Sequence, residues 1–137
     1  MSTKTTLTFL LMDGPFEQAR STTAMRLIDA AVRRGYDVNV FAYEGAVSLA
    51  FAKQTAHANA LHGRNAEEEN HPLPRKWIAA LMAKAEEAGS KLRWVNCGLC
   101  VDERGVNEAI PGASRGGPVD FWKMTLASDN TLVIPTK

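Results

Sequence analysis

Thr6-Leu7-Thr8-Phe9-Leu10-Leu11-Met12, closed by Asp13-Gly14-Pro15, is the stretch from which the fold is read. It is short, apolar and rich in β-formers, the pattern of a strand buried on both faces. From Ser21 to Arg34 the residues Ala24, Leu27, Ile28, Ala31 and Val32 recur at helical spacing. Arg33 and Arg34 suit the negative end of that helix, and Gly35 supplies its C-cap. A second strand is expected from Tyr36 to Tyr43, where Val38, Val40 and Ala42 alternate with Asn39 and Phe41. The unit is β-α-β.

The same pattern continues along the chain. Glu44 to Pro72 loses sustained periodicity after its first apolar residues and carries Gly63, three histidines and Glu67-Glu68-Glu69. It reads as a short helix followed by a long loop, and the part from Lys53 to His71 is expected to be a mobile lid. Pro74 opens a helix whose apolar stripe is Trp77, Ile78, Leu81, Met82, Ala85 and Ala88, ending at Gly89. A third strand, Leu92 to Asn96, leads into a one- to two-turn helix over Cys97 to Gly105, with Asn96 as its expected N-cap. A glycine-rich connection, Pro111 to Pro118, precedes a last helix near Val119 to Ser128 and a final strand, Thr131 to Pro135. Strands alternating with helices imply an α/β protein: a single domain, 1–137, built as a three-layer sandwich with a mainly parallel sheet and right-handed crossovers. Ligands and reactive groups collect beyond the carboxyl ends of such strands, and Cys97 lies at one of them.

Composition narrows the function. A chain of 137 residues that is 45% hydrophobic and 23% charged buries a sufficient core without disulfides or structural metal. Sixteen basic residues against 15 acidic ones leave a net charge of +1, which removes the electrostatic case for a nucleic-acid partner. No apolar run reaches the ~18 residues of a membrane span. Lys4 before Leu7 to Met12 has the outline of a signal peptide, but the run is short and Asp13-Gly14-Pro15 replaces a cleavage site, so a cytoplasmic protein with two reduced cysteines is expected.

Those cysteines are the strongest chemical signal. In Cys97-Gly98-Leu99-Cys100 the first thiol stands at a helix start, where negative charge is stabilised, and the second lies three residues on, on the same face. Such a pair suits a nucleophile, Cys97, with Cys100 as a resolving thiol; the alternative is two small core residues. A thioredoxin-like dithiol is a rival, although that motif normally lies near the first βα junction and here follows the third strand. A zinc site completed by His57, His62 or His71 is a weaker rival, because the partner spacing is loose. Gly14-Pro15 and Ser114-Arg115-Gly116-Gly117 match no phosphate-loop fingerprint and read as turns.

Gly14-Pro15-Phe16, then a helix, then Gly35-Tyr36-Asp37-Val38 and Val40-Phe41-Ala42-Tyr43-Glu44-Gly45-Ala46-Val47, and later the cysteine followed by Arg104-Gly105, together resemble the DsrE/TusD family of small sulfur-relay proteins. The resemblance covers nearly the whole chain. It implies a sulfurtransferase or sulfur carrier that takes sulfane sulfur as a cysteine persulfide and passes it between donor and acceptor proteins, in sulfur metabolism or transfer-RNA thiolation. It also implies assembly as a homotrimer or homohexamer, or with related subunits, and no cofactor or metal. The family's cysteine stands eight residues before the glycine of the Arg-Gly pair, which is Cys97 here. Asn96 and the backbone amides from Gly98 onward are then expected to stabilise the sulfur anion, with Arg104 adding positive charge. Cys100 stands where family members commonly have no thiol. A CxxC dithiol oxidoreductase and a non-catalytic assembly subunit are the alternatives. Trp94, Phe121 and Trp122 are candidates for burial against another subunit.

Overall fold

The computed structural model describes residues 4–16, 18–55 and 72–136. The histidines and most of the expected lid lie outside them. Among the described residues five strands form one parallel sheet: β1 (Thr6–Leu11), β2 (Asp37–Ala42), β3 (Leu92–Cys97), β4 (Ala113–Gly116) and β5 (Asn130–Ile134), in the order β4-β3-β2-β1-β5. The α-helices are α1 (Ala19–Arg33), α2 (Pro74–Glu87), α3 (Gly98–Arg104) and α4 (Pro118–Leu126), and a 3-10 helix covers Glu44–Ala50.

The order explains the layers. From β1 to β4 each crossover moves the chain the same way across the sheet, whereas β4 to β5 moves it back, so right-handed crossovers put α4 on the face opposite α1 and α2. Side chains confirm the α4 face. Thr8, fully buried, hydrogen-bonds to the Met124 carbonyl (3.3 Å) and the Ser128 hydroxyl, and Phe41 packs on Phe121 at 5.9 Å between ring centroids. In register with them, Leu10 pairs with Phe41 and Thr8 with Asn39.

Alternation sends the next residues the other way: Phe9, Leu11, Val38, Val40 and Trp94 are all buried, as are Ala24, Ile28, Val32, Ile78, Leu81 and Ala85 on α1 and α2. The expected strands and helices form within a few residues of their anticipated ends, with one omission. Ala113–Gly116, read as part of a turn-rich connection, is β4, which pairs Trp94 with Ala113 and Cys97 with Gly116. It is an edge strand held to one neighbour by backbone hydrogen bonds, so it needs no apolar alternation.

The aromatic candidates for an interface separate. Trp94 is wholly inside the core, where its indole N–H donates to Asn96 Oδ1 at 3.0 Å, and Phe121 is partly buried against Phe41. Trp122 alone is open, 62% exposed, and lies on an α4 stripe with exposed Val119 and Leu126; Val133 on β5 is exposed as well. Because Asn96 supplies the partner of a buried indole N–H, Asn96→Ala should cost about 1–3 kcal/mol, the penalty of an unpaired donor. Urea unfolding followed by far-UV circular dichroism measures this loss.

Candidate functional site

The two cysteines and the residues around them are assembled at the carboxyl ends of β2, β3 and β4. Cys97 is the last residue of β3 and the N-cap of α3, with extended backbone (φ −61°, ψ 119°), and Cys100 sits in the first turn of that helix. Both are free thiols, each only 4% exposed.

Glu44, just past β2, supplies the next contact. Its backbone N–H donates to Cys100 Sγ at 3.2 Å. Its φ of 51° is left-handed, a conformation that costs a non-glycine residue roughly 1–2 kcal/mol. Burial is the main reason the Cys100 thiol is pushed up to about 11; Cys97 adds to the rise and the Glu44 N–H opposes it. Tyr43 stacks on Phe41 at 6.4 Å, and its phenol is raised first by the Glu44 charge and then by Cys100. Tyr43 and Glu44 thus belong to the cysteine environment, although sequence reading gave them no role.

Two basic residues border these thiols, and only one of them, Arg104, was expected. Arg104 is drawn to Glu44 Oε2 (2.9 Å) and lies 3.7 Å from Glu103, so its charge is already matched by carboxylates. Arg115 instead reaches over the start of α3. Its Nη2 donates to the Gly98 carbonyl at 3.0 Å, and its two terminal nitrogens clamp Asp102 at 2.9 and 3.1 Å. The clamp holds the Asp102 carboxyl below its usual range, chiefly through the hydrogen bond from Arg115. Asp102 likewise raises the guanidinium, chiefly through that hydrogen bond, and Cys97 adds slightly to the rise.

Gly98 makes this arrangement possible, since a Cβ there would lie 3.1 Å from Arg115 Nη2 and 3.3 Å from its Nε. Gly116, beside Cys97 in the ladder, has a similar reason: a Cβ would press on Val95 Cγ1 at 2.7 Å and on the Asp120 carboxylate, which accepts the Gly117 N–H at the start of α4. The only advance signal for Arg115 was its setting between residues able to approach a neighbouring backbone.

Asn96 departs from the role expected of it. It is a buried strand residue rather than the cap of α3, its side-chain oxygen is taken by Trp94, and strand alternation turns it away from Cys97. A cavity of about 470 Å³ adjoins the site, lined by Gly14–Phe16, Gly45, Ser48 and Arg104 among others. Among the described residues, no group of three or more His, Cys, Asp or Glu side chains is arranged to hold a metal, and no helix is long and apolar enough to cross a membrane.

Comparison with known proteins agrees with this architecture. The DsrE/DsrF-like family model matches residues 6–134. The crystal structure of the ychN protein from E.coli superposes with a TM-score of 0.72 at 16% identity, over 94% of this chain and 98% of the other. A conserved protein of unknown function from Bacteroides thetaiotaomicron, BT1422, gives 0.57 at 13% identity over 94% of each chain. No curated protein matches.

The raised Cys100 thiol sets a reactivity test. A shift from 9.0 to about 11 removes about 99% of the thiolate present at pH 8, because thiolate falls tenfold per unit. Peptide-resolved iodoacetamide labelling should show Cys100 reacting at least about tenfold more slowly in the folded protein than in urea, with a pH midpoint above about 10.

Proposed function

We propose that this chain, which belongs to the DsrE/DsrF-like family of generally sulfur-relay proteins, carries sulfane sulfur as a persulfide on Cys97. The observation that carries the reading is the position of Cys97: the last residue of β3, at the carboxyl edge of a parallel sheet, with a second buried thiol three residues on and the Arg115 guanidinium bound to the carbonyl of the next residue, Gly98.

In the loading step, the Cys97 thiolate attacks the terminal sulfur of a donor persulfide. The donor S–S bond breaks, its thiolate leaves, and Cys97 holds the sulfur as Cys97–S–SH. An acceptor thiolate then attacks that outer sulfur and Cys97 departs as thiolate. Burial shields the sulfur from stray thiols, and transfer requires a local opening at the start of α3, where Leu99 stands 75% exposed. The Arg115 clamp fixes that start through Gly98 and Asp102, and its charge favours an anionic sulfur. No cofactor takes part. The partners are persulfide donor and acceptor proteins in the cytoplasm, where thiols stay reduced.

We also assign the chain to a symmetric homo-oligomer, a trimer or hexamer, built on the Val119, Trp122 and Leu126 stripe. An exposed apolar row on a nine-residue helix supports this role.

Two measurements follow. Incubation with a persulfidated donor protein should add one or more sulfur atoms to Cys97, and Cys97→Ser should abolish loading; full loading of that variant would refute the assignment. Multi-angle light scattering should give a trimer or hexamer at micromolar concentration, with Trp122→Glu shifting the population toward smaller species. A monomeric wild type would refute the assembly.

A further inference from the structure

The second thiol is chemically superfluous to a simple carrier, since loading and relay at Cys97 use one sulfur atom. Yet Cys100 is buried in the first turn of the helix that Cys97 caps, and its sulfur accepts the N–H of Glu44, whose backbone is in a left-handed conformation. A core cysteine needs no such partner.

We infer that Cys100 is a resolving thiol that discharges Cys97 when no acceptor is present, releasing the carried sulfur as hydrosulfide and closing a Cys97–Cys100 disulfide. This inference rests on the persulfide reading above and adds a second fate for the same sulfur.

The step balances. In Cys97–S–S⁻ the inner sulfur is attacked by Cys100, the bond to the outer sulfur breaks, and a Cys97–Cys100 bond forms. The Cys100 proton passes to the outer sulfur, which leaves as HS⁻. The sulfane sulfur is reduced to sulfide while the two cysteines are oxidised to one disulfide. A small-molecule or protein dithiol then restores both thiols.

Geometry allows the closure with a small movement. Helical neighbours three apart hold their Cβ atoms about 5–6 Å apart, whereas a disulfide needs ~3.8 Å. Cys97 is not inside the helix: its ψ of 119° is extended, so rotation at this one junction brings the sulfurs together without unwinding α3. Burial keeps the Cys100 thiol protonated, so it holds the proton that the outer sulfur takes up as it leaves.

The test uses the full chain without oxygen, so that any disulfide comes from the persulfide. Reduced protein is loaded with inorganic polysulfide, desalted, and followed by intact mass, peptide mapping and sulfide assay. Wild type should lose its Cys97 adduct, release one equivalent of sulfide per adduct, and settle at the mass of two hydrogens below the reduced protein with Cys97 and Cys100 linked. In both Cys100→Ser and Cys100→Ala the adduct should last at least about tenfold longer. A wild-type adduct that persists with no disulfide overturns the resolving role and leaves the carrier reading standing, and this arm needs no variant to fold. Failure of Cys97 to take up sulfur in any form overturns both.

Discussion

Alternation along β3 is the constraint on which the site depends. Trp94 and Asn96 leave the strand on one face and satisfy each other inside the core, and Cys97 therefore leaves it on the opposite face. The indole is wholly buried and bonded on its own face, and a slip of the strand by one residue would exchange the two faces, so its burial favours this register. The same strand pairs with β2 and β4, whose ends deliver Glu44 and Arg115 to the two cysteines. Reactive atoms from three crossovers meet because their parallel strands all finish at one edge.

The electrostatics at that edge are divided rather than pooled. Arg104 is matched by Glu44, and Arg115 by Asp102. Both pairs are partly exposed, so each contributes little to stability, about 0–1 kcal/mol. Their effect is on position: one tethers the end of α3 to the end of β2, and the other, with the Arg115 bond to the Gly98 carbonyl, ties its start and middle to β4. The short helix carrying both thiols is thereby held at both ends by side chains from elsewhere, while its own seven residues would be too few to persist alone.

Most of the architecture was legible because burial on two faces writes itself into composition. Thr6–Leu11 and the stripe from Trp77 to Ala85 could hardly be anything else. Cys97 and Cys100 were legible too, as adjacent thiols after a strand. What escaped was held by backbone and by distant partners. Ala113–Gly116 is a strand by virtue of its ladder to β3, with no side-chain pattern of its own. Arg115 acts 17 residues from Gly98, and Glu44 acts 56 from Cys100, through a peptide N–H that every residue but proline possesses. Asn96 was misread for the converse reason: a good capping residue had a stronger claim from a buried indole beside it.

The stripe of Val119, Trp122 and Leu126 bears on how the protein behaves as a colloid. With a net charge of +1, copies approaching one another meet almost no long-range repulsion, so nothing but the fit of the contact decides whether they associate in order or clump. Added salt has little repulsion to screen, and acidic substitutions away from the stripe would keep protomers apart more effectively than changes in ionic strength. A near-neutral chain leaves short-range contacts between exposed apolar side chains, this row among them, to govern solubility.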